Sequence, residues 1–254
     1  MVAAKPTIAI PESGFALFLD FDGTLVDIAE TPDAVVVDHT LPGLLGRLRD
    51  RLGGAVAIVT GRPIRDIDRF LPGVMLDACG MHGLERRVVG RVSMPELPYL
   101  AGEIEGLRRR LAPLEGVLVE DKGIGVAAHW RMRPDAEGEA RAAIDDLARQ
   151  LGPGYRVQDG KAVREIVPVA ASKGEGIRAL MRVPPYAGRR PIFIGDDRTD
   201  EHGFDAVAAD GGVGVKIGPG GTGATFRMGS PDELRRVLQD WAATGADIGT
   251  LELA

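Results

Sequence analysis

Short runs of uninterrupted apolar residues punctuate the chain. Phe15-Ala16-Leu17-Phe18-Leu19, Ala55-Val56-Ala57-Ile58-Val59 and Pro191-Ile192-Phe193-Ile194 do not alternate with polar positions, and they carry β-branched or aromatic side chains. Runs of this length predict strands of a parallel sheet, buried on both faces. Val213 to Ile217 predicts a fourth. Helical spacing fills the gaps. Leu41, Leu44, Leu45, Leu48 and Leu52 fall on one helix face, as do Ala140, Ala143, Ile144, Leu147 and Leu151. Ser172-Lys173-Gly174-Glu175 predicts a capping box, opening a helix with Ile177, Leu180 and Met181. Ser230-Pro231-Asp232-Glu233 predicts a second, with proline at the first helical position and Leu234, Val237, Leu238 and Trp241 on one face. Strands alternating with helices predict an open α/β sheet of Rossmann-like build.

From Met94 to Val169 the pattern changes to alternation. Val117-Leu118-Val119 and Val126-Ala127-Ala128 flank Gly123 and Gly125; Tyr155-Arg156-Val157 and Ala162 to Ile166 flank Asp159-Gly160, which reads as the hairpin turn. Helical patterns near 97–114 and 135–151 accompany these strands. The expectation is a smaller α+β cap domain at 94–170, polar on one sheet face, inserted into a core made of 1–93 and 171–254. Pro95, Pro98, Pro168 and Ala170-Ala171 are the expected hinge sequence.

Composition narrows the function classes. Of 254 residues, 31 are Lys or Arg and 37 are Asp or Glu, a formal charge of −6. That balance argues against nucleic acid as a partner, which needs clustered cations to displace counterions. Arg108-Arg109-Arg110, beside Glu103 and Glu105, reads as a solvated helix face. The single cysteine, Cys79, makes an internal disulfide impossible and reads as buried packing. No apolar run approaches the ~18 residues of a membrane span, and Met1 to Pro11 lacks a signal-peptide core. The expectation is a soluble, cytoplasmic, monomeric protein with a small-molecule partner and no membrane contact.

Each long apolar run ends in reactive residues. The first runs into Asp20-Phe21-Asp22-Gly23-Thr24, the second into Thr60-Gly61-Arg62 and the third into Gly195-Asp196-Asp197-Arg198-Thr199-Asp200-Glu201. Ligands of open parallel sheets bind outside the carboxyl ends of the strands, so these groups converge on one sheet edge. Carboxylates packed together repel, and a hard cation such as magnesium relieves them. Lys173 lies in a helix first turn, where the dipole disfavours a cation; an anionic partner is therefore expected. One carboxylate can then act as nucleophile towards phosphorus, and a second, two residues on, as acid and base.

Asp20-x-Asp22-Gly23-Thr24, Thr60, Lys173 and Gly195-Asp196-Asp197-x-x-Asp200 resemble, in order, the four motifs of the haloacid dehalogenase-like superfamily. The resemblance implies Asp20 as nucleophile, Asp22 as acid/base, Thr60 and Lys173 as further catalytic groups, and magnesium held by Asp20, Asp22 and Asp196, with Asp200 behind them. Further segments resemble the trehalose-6-phosphate phosphatase family: Val59-Thr60-Gly61-Arg62-Pro63, Gly80-Met81-His82-Gly83-Leu84-Glu85, Glu120-Asp121-Lys122, His129-Trp130-Arg131, Gly160-Lys161 and Glu165-Ile166. This resemblance implies a magnesium-dependent phosphatase acting on trehalose 6-phosphate through an aspartyl-phosphate. It implies substrate contacts at Asp20, Phe21, Asp22, Gly61, Arg62, His82, Glu120, Lys122, Arg131, Lys161, Glu165 and Asp197. Glu120 and Glu165 suit hydroxyl donors, and Lys122, Arg131 and Lys161 suit accepting oxygens. Cap closure before transfer would exclude water.

Other readings stay open at this point. They are another capped phosphatase of sucrose phosphate, mannosyl- or glucosyl-3-phosphoglycerate, a mutase, or a catalytically silent regulatory domain. A lone histidine is weak evidence of a ligand role, so His82 enters on the resemblance alone. Glu85 reads as a surface ion pair with Arg86 or Arg87. Gly218-Pro219-Gly220-Gly221-Thr222-Gly223 lacks the Lys-Ser/Thr ending of a phosphate loop and reads as a mobile surface loop.

Overall fold

The computed structural model describes residues 7–8, 14–244, 248–250 and 252–253. The start of the chain, read above as lacking a signal core, lies outside the described residues except for 7–8. The chain divides into two compact units. One comprises Met1–Ile28, Val36–Met94 and Ser172–Ala254; the other comprises Ala29–Val35 and Pro95–Ala171.

The first unit is built on a sheet of nine strands. Six neighbours run parallel, in the spatial order Phe226–Met228, Val213–Ile217, Arg190–Gly195, Phe15–Leu19, Val56–Val59 and Asp77–Gly80. The apolar runs are thus the central strands. The Phe15–Leu19 and Val56–Val59 strands are buried at every position, as strands covered on both faces must be. Helices Leu41–Arg51, Ile64–Phe70 and Glu201–Ala209 cross over between parallel strands, while Lys173–Met181 precedes the Arg190–Gly195 strand and Pro231–Thr244 follows the Phe226–Met228 strand. Leu234, Leu238 and Trp241 are fully buried on the last of these. Antiparallel strands Glu85–Val88 and Arg91–Ser93 extend one edge, and Glu252–Leu253 the other.

The helix starts differ in detail from the capping boxes read in the sequence. Ser172 Oγ accepts the Glu175 N–H at 3.4 Å, the forward half of a capping box, while the Glu175 carboxylate turns to Arg178 at 2.6 Å. Ser230 Oγ accepts the Glu233 N–H at 3.3 Å, and Glu233 reaches back to the N–H of Gly229 at 2.7 Å, one residue earlier than a reciprocal box requires. Glu85 also has a different role. Its Oε2 accepts the Ile64 N–H at 2.7 Å and so serves a helix start, while Arg87 pairs with Asp68.

The second unit is a four-stranded antiparallel sheet in the order Leu118–Asp121, Val126–His129, Val163–Pro168, Tyr155–Gly160, with helices Ala101–Leu111 and Glu137–Leu151. Val126, Ala128 and Ile166 pack with Ile104, Leu107, Ala140 and Ile144 of those helices, and Trp130 belongs to the same apolar cluster. The hairpin turn falls at Lys161-Ala162, not at Asp159-Gly160: Gly160 faces Val163 in register, and Ala162 takes a left-handed φ of 58°. Asp159 is kept in the strand by Arg141 and Arg164, at 2.9 and 2.5 Å. Tertiary ion pairs here outweigh the local turn preference of Asp-Gly.

Strand register creates a polar face opposite the helices. Glu120 and Glu165 both face Ala127, and Leu118 and Val163 both face His129. Because side chains alternate, Glu120, Ala127, Glu165 and His129 stand on one face.

Among the described residues no helix is long and apolar enough to cross a membrane. Cys79 is buried, and burial pushes its thiol up to about 12.

Candidate active site

The first unit gathers the reactive strand ends. Just past the Phe15–Leu19 strand, the Asp20 N–H donates to the Ile194 carbonyl at 2.9 Å, locking two strand ends side by side. The chain then turns within six residues: the N–H groups of Leu25 and Val26 donate to the Phe21 carbonyl, and the Gly23 N–H donates to that of Val26. Gly23 has φ of 77°, and a Cβ there would sit 2.3 Å from an Asp196 carboxylate oxygen. Glycine is required for this approach of the two loops.

Asp20, Asp196 and Asp200 each place a carboxylate oxygen within 4.8 Å of the others, and all three are buried. Burial pushes the Asp20 carboxyl well up, and repulsion from Asp200 and Asp196 adds to it, against the pull of Lys173. Such crowding suits a divalent cation, whose charge would relieve it. Asp200 is fully enclosed and already committed: one oxygen accepts the N–H groups of Asp196 and Asp197, both at 2.8 Å, and the other accepts Lys173 at 2.7 Å. Asp200 therefore shapes the Asp196–Asp197 turn from behind. A Cβ on Gly195 would collide with it at 2.4 Å.

Lys173 is bound on two sides, 2.8 Å from Asp20 and 2.7 Å from Asp200, with 3% of its side chain exposed. This is the anionic partnership that its place in a helix first turn calls for. Burial alone would pull the ammonium down; the two carboxylates outweigh it and hold it above the ordinary lysine range.

The other motif residues lie in the same unit. Thr60 is buried, and its Oγ1 accepts the Arg62 N–H at 3.1 Å. His82 is buried in a left-handed conformation with φ of 54°; its N–H donates to the Thr60 carbonyl, and its imidazole lies against Gly61, where a Cβ would meet it at 2.7 Å. Arg62 grips Asp22, with Nε to Oδ2 at 2.6 Å and Nη2 to Oδ1 at 2.8 Å. Phe21 is buried and stacks on Phe70. Asp197 caps the short turn 198–200, its carboxylate accepting the Arg198 N–H at 2.6 Å.

Two neighbours of this cluster were not assigned a role from sequence. Thr24 Oγ1 donates to Asp196 at 3.3 Å. Lys216 is buried, and its ammonium donates to the main-chain oxygen of Asp196 and, at 3.1 Å, to that of Ile217. A lysine inside the apolar run Val213–Ile217 was the available signal. The glycine-rich segment lies at the surface, as its sequence suggests, and carries hydrogen bonds of its own. Glu201 accepts the Thr222 hydroxyl and the Gly223 N–H, both at 2.8 Å, and Arg227 donates to the carbonyls of Gly218 and Gly220.

In the second unit, Lys122 lies 3.0 Å from Glu165 and 3.8 Å from Glu120, and His129 Nε2 lies 2.9 Å from Glu120. Burial opposes the Glu120 charge, but Lys122 and His129 outweigh it and hold the carboxyl below its usual range. Arg131 donates to the carbonyls of Ala29 and, at 2.7 Å, Lys161; the Lys161 side chain is exposed at the hairpin tip. Glu120, Lys122, Glu165 and His129 thus form one cluster, and Arg131 is tied to the Lys161 backbone.

Comparison with known proteins identifies the family. A trehalose-phosphatase family model matches residues 18–225. A probable trehalose-phosphate phosphatase of Sinorhizobium fredii is 45% identical over 81% of this chain and 78% of its own. The trehalose-6-phosphate phosphatase of Escherichia coli K12 is 40% identical over 90% of this chain and 88% of its own. The solved structure of a trehalose-6-phosphate phosphatase related protein superposes with a TM-score of 0.76 at 29% identity, covering 91% of this chain and 98% of that one. A matched model spanning both the strand-end motifs and the inserted unit places this chain in the trehalose-phosphatase family.

Proposed function

We propose that this chain hydrolyses trehalose 6-phosphate to trehalose and phosphate, with magnesium as its divalent ion. The observation that carries the reading is the buried set of Asp20, Asp196, Asp200 and Lys173 at the strand ends of a chain in this family. Asp20 attacks phosphorus as the bond from phosphorus to the sugar oxygen breaks. Asp22 gives a proton to that oxygen, and trehalose leaves. Asp22 then takes a proton from the water that attacks the aspartyl-phosphate, and phosphate departs with Asp20 restored. Lys173, fixed between Asp20 and Asp200, faces the transferring charge with its ammonium. Thr60 and the backbone around Phe21, Gly61, His82 and Asp197 serve the phosphate side. Asp20, Asp196 and the Asp22 main-chain oxygen would hold the magnesium, with Asp200 behind them; bound there, the ion supplies charge neutralisation on the phosphoryl oxygens.

Sugar selection is the role proposed for the second unit. A carboxylate accepts from hydroxyls, and an unpaired buried polar group penalises a sugar lacking the matching hydroxyl. Glu120, Glu165 and Lys122 fit that task, with Arg131 and Lys161 as further contacts. A single cysteine, unable to form an internal disulfide, fits a reducing cytoplasmic setting.

A phosphate-release panel tests the proposal. Trehalose 6-phosphate should be turned over at least about tenfold faster than sucrose phosphate, mannosyl- or glucosyl-3-phosphoglycerate, a discrimination within reach of one or two hydroxyl contacts. A chelator should stop the reaction and magnesium restore it. Faster release from another sugar phosphate would reassign the substrate, and no release from any of them would overturn the phosphatase reading.

A further inference from the structure

We infer that Arg62 is a positioning residue for Asp22, fixing the direction in which that carboxylate meets the departing sugar oxygen. This deepens the phosphatase reading and rests on it. The resemblance places Arg62 among the substrate contacts, but the structure turns its guanidinium onto a protein carboxylate.

A carboxyl group that must first, in its protonated form, give a proton to one oxygen and then, as the carboxylate, take one from water works only if its plane is fixed. Asp22 has no such restraint from burial, since its side chain is 33% exposed. Arg62 supplies the restraint. Its Nε and Nη2 each engage a different oxygen of Asp22, at 2.6 and 2.8 Å. Side-on, two-point pairing sets both the direction and the plane of a carboxylate, which a single contact cannot do. Each carboxylate oxygen keeps a second lone pair for the reacting partner.

Arg62 is itself held from three directions. Its side chain is only 9% exposed, and its guanidinium lies 5.0 Å from the Phe70 ring and 5.9 Å from that of Phe21. Those rings stack on each other at 5.7 Å. Its N–H donates to Thr60 Oγ1 at 3.1 Å, and its carbonyl accepts the Met81 N–H at 2.9 Å. A rigid arginine on an aromatic pair, clamped to the phosphate-side Thr60, is a reference point against which Asp22 is aimed. Small misplacements of a reacting group cost on the order of 10²-fold in rate.

Positioning an acid and binding a phosphate leave different kinetic marks. An alkyl sugar oxygen needs a proton to leave, whereas p-nitrophenolate leaves without one. Arg62→Met and Arg62→Lys should therefore be compared with wild type on trehalose 6-phosphate and on p-nitrophenyl phosphate. KM and kcat are measured for both, together with the pre-steady-state burst of p-nitrophenol, which reports the first transfer alone. For Arg62→Met the expected loss is about 10²-fold in kcat on trehalose 6-phosphate, with KM changed by less than about threefold. The burst rate should fall at least tenfold less than that. Arg62→Lys, which keeps the charge but not the two-point grip, should show the same substrate bias at smaller size; it also serves if the methionine variant fails to fold. A p-nitrophenol burst rate that falls as far as kcat on trehalose 6-phosphate, or a raised KM with kcat intact, would overturn the assignment in favour of phosphate binding. Wild-type protein that releases phosphate from neither substrate would instead overturn the underlying phosphatase reading.

Discussion

Asp20→Asn should abolish phosphate release while leaving the fold in place. The loss expected is at least about 10⁴-fold, because the amide cannot form the covalent intermediate and the remaining groups stabilise a transfer that has no acceptor. In acid-quenched reactions with labelled substrate, wild type should carry phosphate on the chain and the variant none. The stability expectation separates lost chemistry from lost structure. Asp20 is enclosed by Asp196 and Asp200, and burial together with their charge makes its ionised form unfavourable. A neutral amide of the same shape removes that repulsion, and Lys173 keeps its contact with Asp200 at 2.7 Å. In chelator the variant should therefore melt at or above the wild-type temperature. More than about 1% residual turnover would remove Asp20 from the nucleophile role; a lower melting point would show that its charge is needed by the fold.

The parts of this molecule legible from sequence are those where burial or helix electrostatics leaves few solutions. A strand covered on both faces must be apolar throughout, so Phe15–Leu19 and Val56–Val59 announce themselves. Polar residues directly after such strands have one place to go, the carboxyl edge of the sheet. Lys173 in a helix first turn demanded an anion, and it has two. What was hidden depends on register and on partners distant in sequence. The turn at Lys161-Ala162 could not be read, because the pull that keeps Asp159 in its strand comes from Arg141 on a helix and Arg164 on the next strand. The row Glu120–Ala127–Glu165 exists only once two strand pairings are fixed. Glu85 looked like a partner for the adjacent arginines, yet it serves the Ile64 N–H, 21 positions away. Arg62 and Asp22 are 40 positions apart, and nothing local to either names the other. Lys216 did leave a mark, as a cation in an otherwise apolar strand buried at every position.

Lys173→Met tests the electrostatic balance of the same cluster from the opposite side. Its ammonium is the cation shared by Asp20 and Asp200, at 2.8 and 2.7 Å and with 3% exposure. Methionine fills much of the stem volume but leaves those carboxylates and Asp196 facing one another in a buried site without that charge. Removing one partner of a buried ion pair costs about 3–5 kcal/mol. For a chain of this size that corresponds to a melting point lower by roughly 6–20 °C in chelator. Activity should fall about 10²–10³-fold, the usual loss on removing one charge-stabilising donor aimed at a transition state. The discriminating measurement is the response to divalent ions. In wild type the ammonium already neutralises part of the cluster and repels an incoming cation. Without it, added magnesium meets a more negative site and should raise the melting point by more than it does for wild type, because an ion that binds only the folded chain stabilises it in proportion to its affinity. Stability would thus be recovered by the ion while turnover is not, since a cation held by carboxylates cannot replace the ammonium at Lys173's position. Melting in chelator within about 2 °C of wild type, or equal stabilisation of both proteins by magnesium, would show that Lys173 does not carry the charge balance of this site.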